Sequence, residues 1–281
     1  LAPLIDRFKC SIDKCLEWGE EKVDIGEQNR LAWDKKVEDR AVYTQEASSD
    51  VIKKSKAGNW EITVTTNRPV PRSWFPVSLT GKKILCLASG GGQQGPILAT
   101  TGADVTVFDI SKRQLEKDLL VAEREGLNLK TVQGDMADLS CFQDETFDII
   151  VHPVANLFVK DISHVWHEAA RVLKTNGTLI SGFTNPVLFI FDDEEDRKGN
   201  LVVKHTIPFH SLQDLCEEEV ETYLKANHTI EFGHTLEDQI QGQVDAGFVI
   251  AGFFEDDFGG NRPLDQHLKC FIATKAIKAS I

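Results

Sequence analysis

Basic residues are in deficit: 31 lysines and arginines stand against 44 aspartates and glutamates, a formal charge of −13 over 281 residues. A chain this acidic has no overall attraction for a phosphate backbone or an anionic lipid, so neither nucleic acid nor a membrane is expected as a partner. The densest basic run, Lys53-Lys54-Ser55-Lys56, is short and reads as a solvated helix face. Long apolar runs are absent too, none approaching the roughly 18 residues that a membrane helix needs. The start, Leu1-Ala-Pro-Leu-Ile-Asp-Arg7, shows no targeting pattern, and the expectation is a soluble, cytoplasmic chain. The cysteines Cys10, Cys15, Cys86, Cys141, Cys216 and Cys270 form no CxxC pair and suit reduced thiols. The histidines show no close pairing with cysteines or carboxylates, so no metal site is expected.

What is present falls into two parts. Residues 1–75 are polar and helix-permissive, with widely spaced aromatics, and read as a helical arm or lid. From residue 76 to 281, short apolar runs alternate with amphipathic stretches. Strands are expected at Lys83–Ala88, Asp104–Asp109, Lys130–Gln133, Phe147–Val151, Thr178–Phe183, Phe248–Phe254 and Leu268–Ala273. Between the second and third, Ser111 is placed to cap a helix with Leu115, Leu119 and Ala122 on one stripe and Gly126 at its end. A second helix carries Ile162, Val165, Ala169 and Val172 and is closed by Asn176-Gly177. The rhythm breaks at about 186–234, which reads as an insertion with a further strand over Leu201–Ile207; Thr235 then caps a helix to about Ala246. The pattern predicts an α/β fold: a doubly wound, mostly parallel, seven-stranded Rossmann-like sheet whose last two strands, lacking a helix between them, form an antiparallel pair.

The glycine loop Ser89-Gly-Gly-Gly-Gln-Gln-Gly95 joins the first strand to the first helix, where backbone can approach a ligand closely. Asp109 ends the second strand 19 residues past Gly90, where a carboxylate accepts hydrogen bonds from ribose hydroxyls. After the third strand, Asp135 offers an acceptor for an exocyclic adenine amine and Met136 a polarizable ring contact; capping of the following turn is the other reading of Asp135. Together these point to an adenosine-containing ligand. A nicotinamide oxidoreductase shares such features, but Tyr43 and Tyr223 are followed four places on by Ala47 and Asn227, which excludes the Tyr-x-x-x-Lys pair of short-chain dehydrogenases.

On Ile84-Leu-Cys-Leu-Ala-Ser-Gly-Gly-Gly92, Val107-Phe-Asp-Ile-Ser111, Gly134-Asp-Met136, Phe147-Asp-Ile-Ile-Val-His152 and Arg171-Val-Leu-Lys-Thr-Asn-Gly177, the sequence resembles the class I S-adenosylmethionine-dependent methyltransferases, in the branch of the ubiquinone/menaquinone-type and other small-molecule enzymes. The resemblance covers about residues 79–183. It implies S-adenosylmethionine as cofactor, S-adenosylhomocysteine as product, and a reversed strand at the sheet edge. It places Gly90 and Gly92 against the methionine part and counts Ser89, Gly91, Gln94, Gln114 and His152 among the cofactor-binding residues. Asp109 would hold the ribose diol, Ile110 would pack on adenine, and Asp135 with Met136 would read the adenine edge. Tyr43 would close over the cofactor. The family usually has an acid where Cys86 stands and a glycine where Ala88 stands, which shifts that contact to backbone or to Gln93 or Gln94.

Methyl transfer from a sulfonium is an in-line displacement, for which alignment alone contributes about 7–11 kcal/mol. If the acceptor is a hydroxyl, thiol or amine, a base helps, and His152 at the end of the fourth strand is the first choice; a packed neutral histidine is the other reading. Trp33, Trp74, Phe75 and Asn156 are assigned to the acceptor, although simple packing of the arm accounts equally for each tryptophan. The expected function is methylation of a small molecule, with a non-catalytic cofactor-binding scaffold as the alternative. Exposed edge strands and the arm allow a homodimer.

Overall fold

The computed structural model describes residues 23–280, so Cys10, Cys15 and the arm's Trp18 lie outside the described residues. The strands are β1 (Lys83–Leu87), β2 (Asp104–Asp109), β3 (Lys130–Gln133), β4 (Phe147–His152), β5 (Leu173–Thr184), β6 (Phe209–His210), β7 (Phe232–Gly233), β8 (Phe248–Asp256) and β9 (Phe271–Lys278). Seven of them make one sheet in the order β3-β2-β1-β4-β5-β9-β8, while β6 and β7 pair separately. The first five are parallel; β9 runs antiparallel to both its neighbours. The reversed strand therefore lies inside the sheet and β8 forms the edge, a correction to the expected placement.

Helices α1 (Ile25–Glu38) and α2 (Ser49–Lys56) precede the sheet, and α3 (Gln94–Ala99), α4 (Lys112–Glu125) and α5 (Ile162–Val172) make the crossovers. The later segments carry α6 (Asp193–Arg197), α7 (Glu217–Lys225) and α8 (Gly242–Asp245). None of the described helices is long and apolar enough to cross a membrane.

The unbroken apolar run of β1 follows from burial on both faces. Ile84 and Cys86 enter one core with Val105, Val107 and Leu98; Leu85 and Leu87 enter the other with Phe108, Ile150 and Val165. Ser111 caps α4 by accepting the Gln114 N–H at 3.1 Å, and Gly126 ends it at φ +64°, as the sequence predicts. The stripe of α4 is set differently, however. Leu119 is 47% exposed, and the inward positions are Leu115, Asp118, Val121 and Ala122.

Two further expectations are corrected. Asn176-Gly177 does not close α5, because the chain passes from Val172 directly into β5. Asn176, at φ +63°, instead sits in a bulge where the pairing jumps from Phe147 with Leu173 to Ile149 with Thr178. Leu201–Ile207 forms no strand beyond one bridge between Phe191 and Val203, since Val202 and Val203 face solvent and gain nothing from extension. Thr235 caps the next helix as expected, accepting the Asp238 N–H at 3.1 Å, and that helix opens as a π-helical turn, Glu237–Gln241, before ending at Asp245; the Asp238 carbonyl accepts the Trp166 indole N–H at 3.1 Å.

The second half of the arm is built into the sheet's core. Trp60, Ile62, Val64 and Val70 share the cluster of Ile84, and the Val64 carbonyl accepts the Val154 N–H at 3.0 Å. Gly182 makes this crossing possible: a Cβ there would stand 2.0 Å from the Val64 carbonyl oxygen.

Candidate functional site

A cavity of about 1060 Å³ opens beyond the carboxyl ends of β1, β2 and β4, where open α/β sheets place their ligands. Its floor is the glycine loop. The Gly90 N–H donates to Asp109 Oδ2 at 2.9 Å, and the Gly91 N–H donates to Asp118 Oδ2 at 3.0 Å. A Cβ on Gly90 would meet Gln114 Cβ at 2.6 Å, so only glycine lets α4 come this close. The second Asp109 oxygen accepts the Ser111 N–H at 2.9 Å, fixing the carboxylate at the cavity wall. Burial pushes Asp109 up to about 6, against the pull of the Ser111 and Gly90 N–H groups.

Beside Asp109, the wall is formed by Ile110, Asp135 and Met136 under the start of α1. Asp135 Oδ1 accepts the Ala137 N–H at 2.9 Å, so the turn-capping reading holds for that oxygen. Oδ2 points the other way, 3.5 Å from where a Gly26 Cβ would be. One carboxylate thus caps its turn and faces the slot at once.

The loop's remaining side chains brace it. Ser89 donates to Gln94 Oε1 at 3.3 Å, and Gln94 donates to the Thr63 carbonyl at 3.0 Å. Gln93 donates to the carbonyls of Gln45 at 2.8 Å and Tyr43 at 3.3 Å, holding Tyr43 half out of the cavity mouth. Gln114 Oε1 is buried beside Gly91 without a partner. Ser89, Gly90, Gln94 and Gln114 line the cavity; Gly91 and Gly92 lie beneath it.

Besides Gly91 and Gly92, four expected residues lie off the cavity lining. His152 is wholly buried: Nδ1 donates to the Leu87 carbonyl at 2.9 Å, and Nε2 lies 2.7 Å from the Asn156 carboxamide. Burial holds the imidazole below its usual range, against the pull of the Leu87 carbonyl and the Asn156 side chain, and the ring does not line the cavity, which favours the packed histidine of the two readings. Asn156 is equally enclosed, its amide donating to Gln239 Oε1 at 2.8 Å. Trp74 lies over Gly252 with its ring 5.3 Å from Phe254, and Phe75 stands edge-on to Trp60 at 5.1 Å. Both belong to the core under the sheet, where large rings gain most from burial, and not to the cavity. Trp33 does line it, edge-on to Phe158 at 5.3 Å.

Sequence reasoning missed Asp118, and also Lys36 and Glu231 at the far end of the cavity. Burial lowers the Lys36 ammonium and raises the Glu231 carboxyl from their ordinary values, each opposed by the attraction of the other. Lys36 donates to Thr229 Oγ1 at 3.3 Å, and the Thr229 hydroxyl donates to Glu231 at 3.0 Å. The signal for Asp118 was its place three after Leu115 on a helix; Lys36 and Glu231 had none, being 195 residues apart. Among the described residues no group of three metal-ligating side chains comes together.

Comparison with known proteins bears on the whole chain. The profile of a family described as "Methyltransferase domain" matches residues 85–181. A Bacillus subtilis (strain 168) protein described as uncharacterized methyltransferase YbaJ is 54% identical over 250 residues, which span 89% of this chain and 97% of that protein. The crystal structure of an S-adenosylmethionine-dependent methyltransferase from Mesorhizobium loti superposes with a TM-score of 0.55 at 15% identity, covering 73% of this chain and 94% of that one. A Burkholderia thailandensis 1,6-didemethyltoxoflavin-N1-methyltransferase, solved with 1,6-didemethyltoxoflavin and S-adenosylhomocysteine, gives 0.53 at 12% identity over 89% of this chain and 87% of its own. At such identity the structures speak to the fold.

Proposed function

Because this chain belongs to the class I S-adenosylmethionine-dependent methyltransferases, we propose that it moves the cofactor's methyl group to a small-molecule acceptor held in the same cavity. The observation that carries this reading is the use of the loop's N–H groups. Gly90 and Gly91 spend theirs on Asp109 and Asp118, so these two N–H groups are not offered to a pyrophosphate, and the Asp109 carboxylate stands beneath the loop. That arrangement favours a ligand with cationic sulfonium and ammonium groups over a nicotinamide dinucleotide.

The residues present fit S-adenosylmethionine. Gly90, lacking a Cβ, lets Gln114 and Asp109 close in beside it, and the partnerless Gln114 Oε1 awaits a donor. Asp109 would take the ribose diol, Ile110 and Met136 the adenine faces, Asp135 Oδ2 its amine, and Ser89, Gly90 and Gln114 the amino-acid end. When bound, the cofactor supplies an electrophilic methyl carbon on sulfur. The chain's own part is to hold and orient both partners and to keep water out. Tyr43 at the mouth and α1 over the adenine slot serve the last purpose.

The cavity stands at the upper end of the roughly 300–1,000 Å³ of ordinary ligand pockets, which leaves room for a second molecule. Its far wall comes from the 186–234 segment and carries Phe189, Phe191 and Phe209, facing Trp33 and Phe158. Such a wall suits an apolar or aromatic acceptor, with Lys36 and Glu231 as the titratable groups that meet its polar end. The test is calorimetric titration of ligand-stripped protein with S-adenosylmethionine, S-adenosylhomocysteine and NAD in parallel. Saturable binding of the first two alone is expected; binding of NAD alone would sink the reading.

A further inference from the structure

Asp118 has no task in the function above, yet it is the most costly side chain near the loop. It projects from α4 with no exposed surface, accepts the Gly91 N–H with Oδ2 at 3.0 Å, and leaves Oδ1 without a partner. Burying a carboxyl with one oxygen unpaired is expensive, and the loop does not need it for hydrogen bonding alone. The Gly91 N–H already has the Gln114 carbonyl at 3.1 Å. No basic side chain offsets the acid: Asp109 faces it from β2, Cys86 from β1, and the adjacent Lys117 turns away to Glu46 at 2.8 Å. Across from it stands Gly95, where a Cβ would meet Val107 Cγ2 at 2.5 Å and Asp118 Oδ1 at 3.0 Å.

We propose that Asp118 is a positioning residue for cofactor binding: from α4 it holds Gly91 while Asp109 holds Gly90, and the two acids together set the curl of the loop. The thiol of Cys86, fully buried in β1 below the same loop, provides no such anchor, and the helix supplies it instead. This rests on the cofactor reading given above. Burial raises the carboxyl to about 8, with the Gly92 and Gly91 N–H groups pulling it back down, so its ionisation is observable from the loop near neutral pH.

The experiment follows the Gly91 amide by NMR in ligand-free wild type and Asp118→Asn, then titrates both with S-adenosylhomocysteine. The wild-type amide is expected to shift as pH passes about 8, and the variant's to lose that step while keeping any step near 6 from Asp109 on the neighbouring Gly90, with affinity weakened about tenfold in a protein that still melts cooperatively. An Asp118→Asn protein that binds as wild type, or whose Gly91 amide still shows the step near 8, overturns the proposal. Should that variant fail to fold, Asp118→Glu keeps the acid but displaces it by a methylene, and undiminished binding there overturns the proposal equally. Wild type that ignores S-adenosylhomocysteine overturns the cofactor reading itself, and the proposal with it.

Discussion

Asp34 on the N-terminal helix α1 accepts the Ser111 hydroxyl at 2.6 Å, and Ser111 in turn accepts the Gln114 N–H that begins α4. The N-terminal helix at the cavity wall is thereby tied to the turn after β2, so in the proposed binding mode closure over adenine and contact with the ribose would share one hydrogen-bonded chain. A second tie, Arg113 to Glu38 at 2.7 Å, is solvent-exposed and worth little.

Removing the first tie should therefore loosen the lid. Asp34→Ala is expected to speed hydrogen exchange across Ile25–Glu38 and to weaken cofactor binding by about 1–2 kcal/mol, the scale of a hydrogen bond to a charged group. Unaltered exchange in that helix would show that packing against Phe158 and Ile230 holds it instead.

Asp109 supports a sharper expectation, because its role depends on charge. Asp109→Ala should cost about 1.5–3 kcal/mol of cofactor affinity. With the carboxyl raised to about 6, wild-type affinity should also fall as pH drops through that value, since the protonated form loses an acceptor. Calorimetry between pH 5 and pH 8, chosen to bracket roughly one unit or more either side, checks both; an equally steep pH profile in Asp109→Asn would assign the titration to another group.

Stability should carry the mark of Asp118. Its folded value of about 8 lies above the unfolded value of 3.8, so the folded protein holds an extra proton in between. That contribution is complete below the unfolded value and is lost as pH rises through the folded one. Wild type should lose stability relative to Asp118→Asn from about pH 4 to pH 8, with a slope difference approaching 1.4 kcal/mol per pH unit. Denaturant melts at several pH values read this directly, and parallel curves for the two proteins would contradict it.

The legible parts of the molecule were those whose signal is local. The glycine loop, Asp109 and Asp135 each sit at the end of a strand, and the strand runs themselves place them side by side. Asp118 was hidden because a polar residue on a helix is read as outward, which moved the stripe to Leu119. The two readings of His152 could not be separated in the sequence for a related reason. The end of β4 meets the cavity, but alternation turns this side chain into the core, its ring 6.1 Å from Trp166. The acceptor wall was illegible because it arises from contacts such as Asn29 with Ile230, 201 residues apart, between segments without any period.

The burial of His152 gives it a structural consequence. His152→Ala removes the partner of the Leu87 carbonyl and of the Asn156 carboxamide, and each unsatisfied buried group costs about 1–3 kcal/mol. A clear drop in melting temperature is expected, with cofactor affinity falling only as far as the fold loosens. A stable variant that bound cofactor normally but turned over slowly would return the histidine to the chemistry.

Glu231 is the group whose loss should act on turnover instead. It lines the cavity, its carboxyl is raised by burial, and the Lys36-Thr229-Glu231 chain gives a proton taken from an acceptor somewhere to be balanced. For a hydroxyl or amine acceptor, Glu231→Gln keeps the shape and the Thr229 contact but removes the base, and turnover should fall by about 10²-fold or more while S-adenosylhomocysteine affinity holds. The acid limb of the pH–rate profile should vanish with it. Acceptors found by screening small aromatic alcohols and amines for S-adenosylhomocysteine release provide the assay. Full activity in Glu231→Gln would mean that alignment alone drives the transfer, as it would for an acceptor that has no proton to lose.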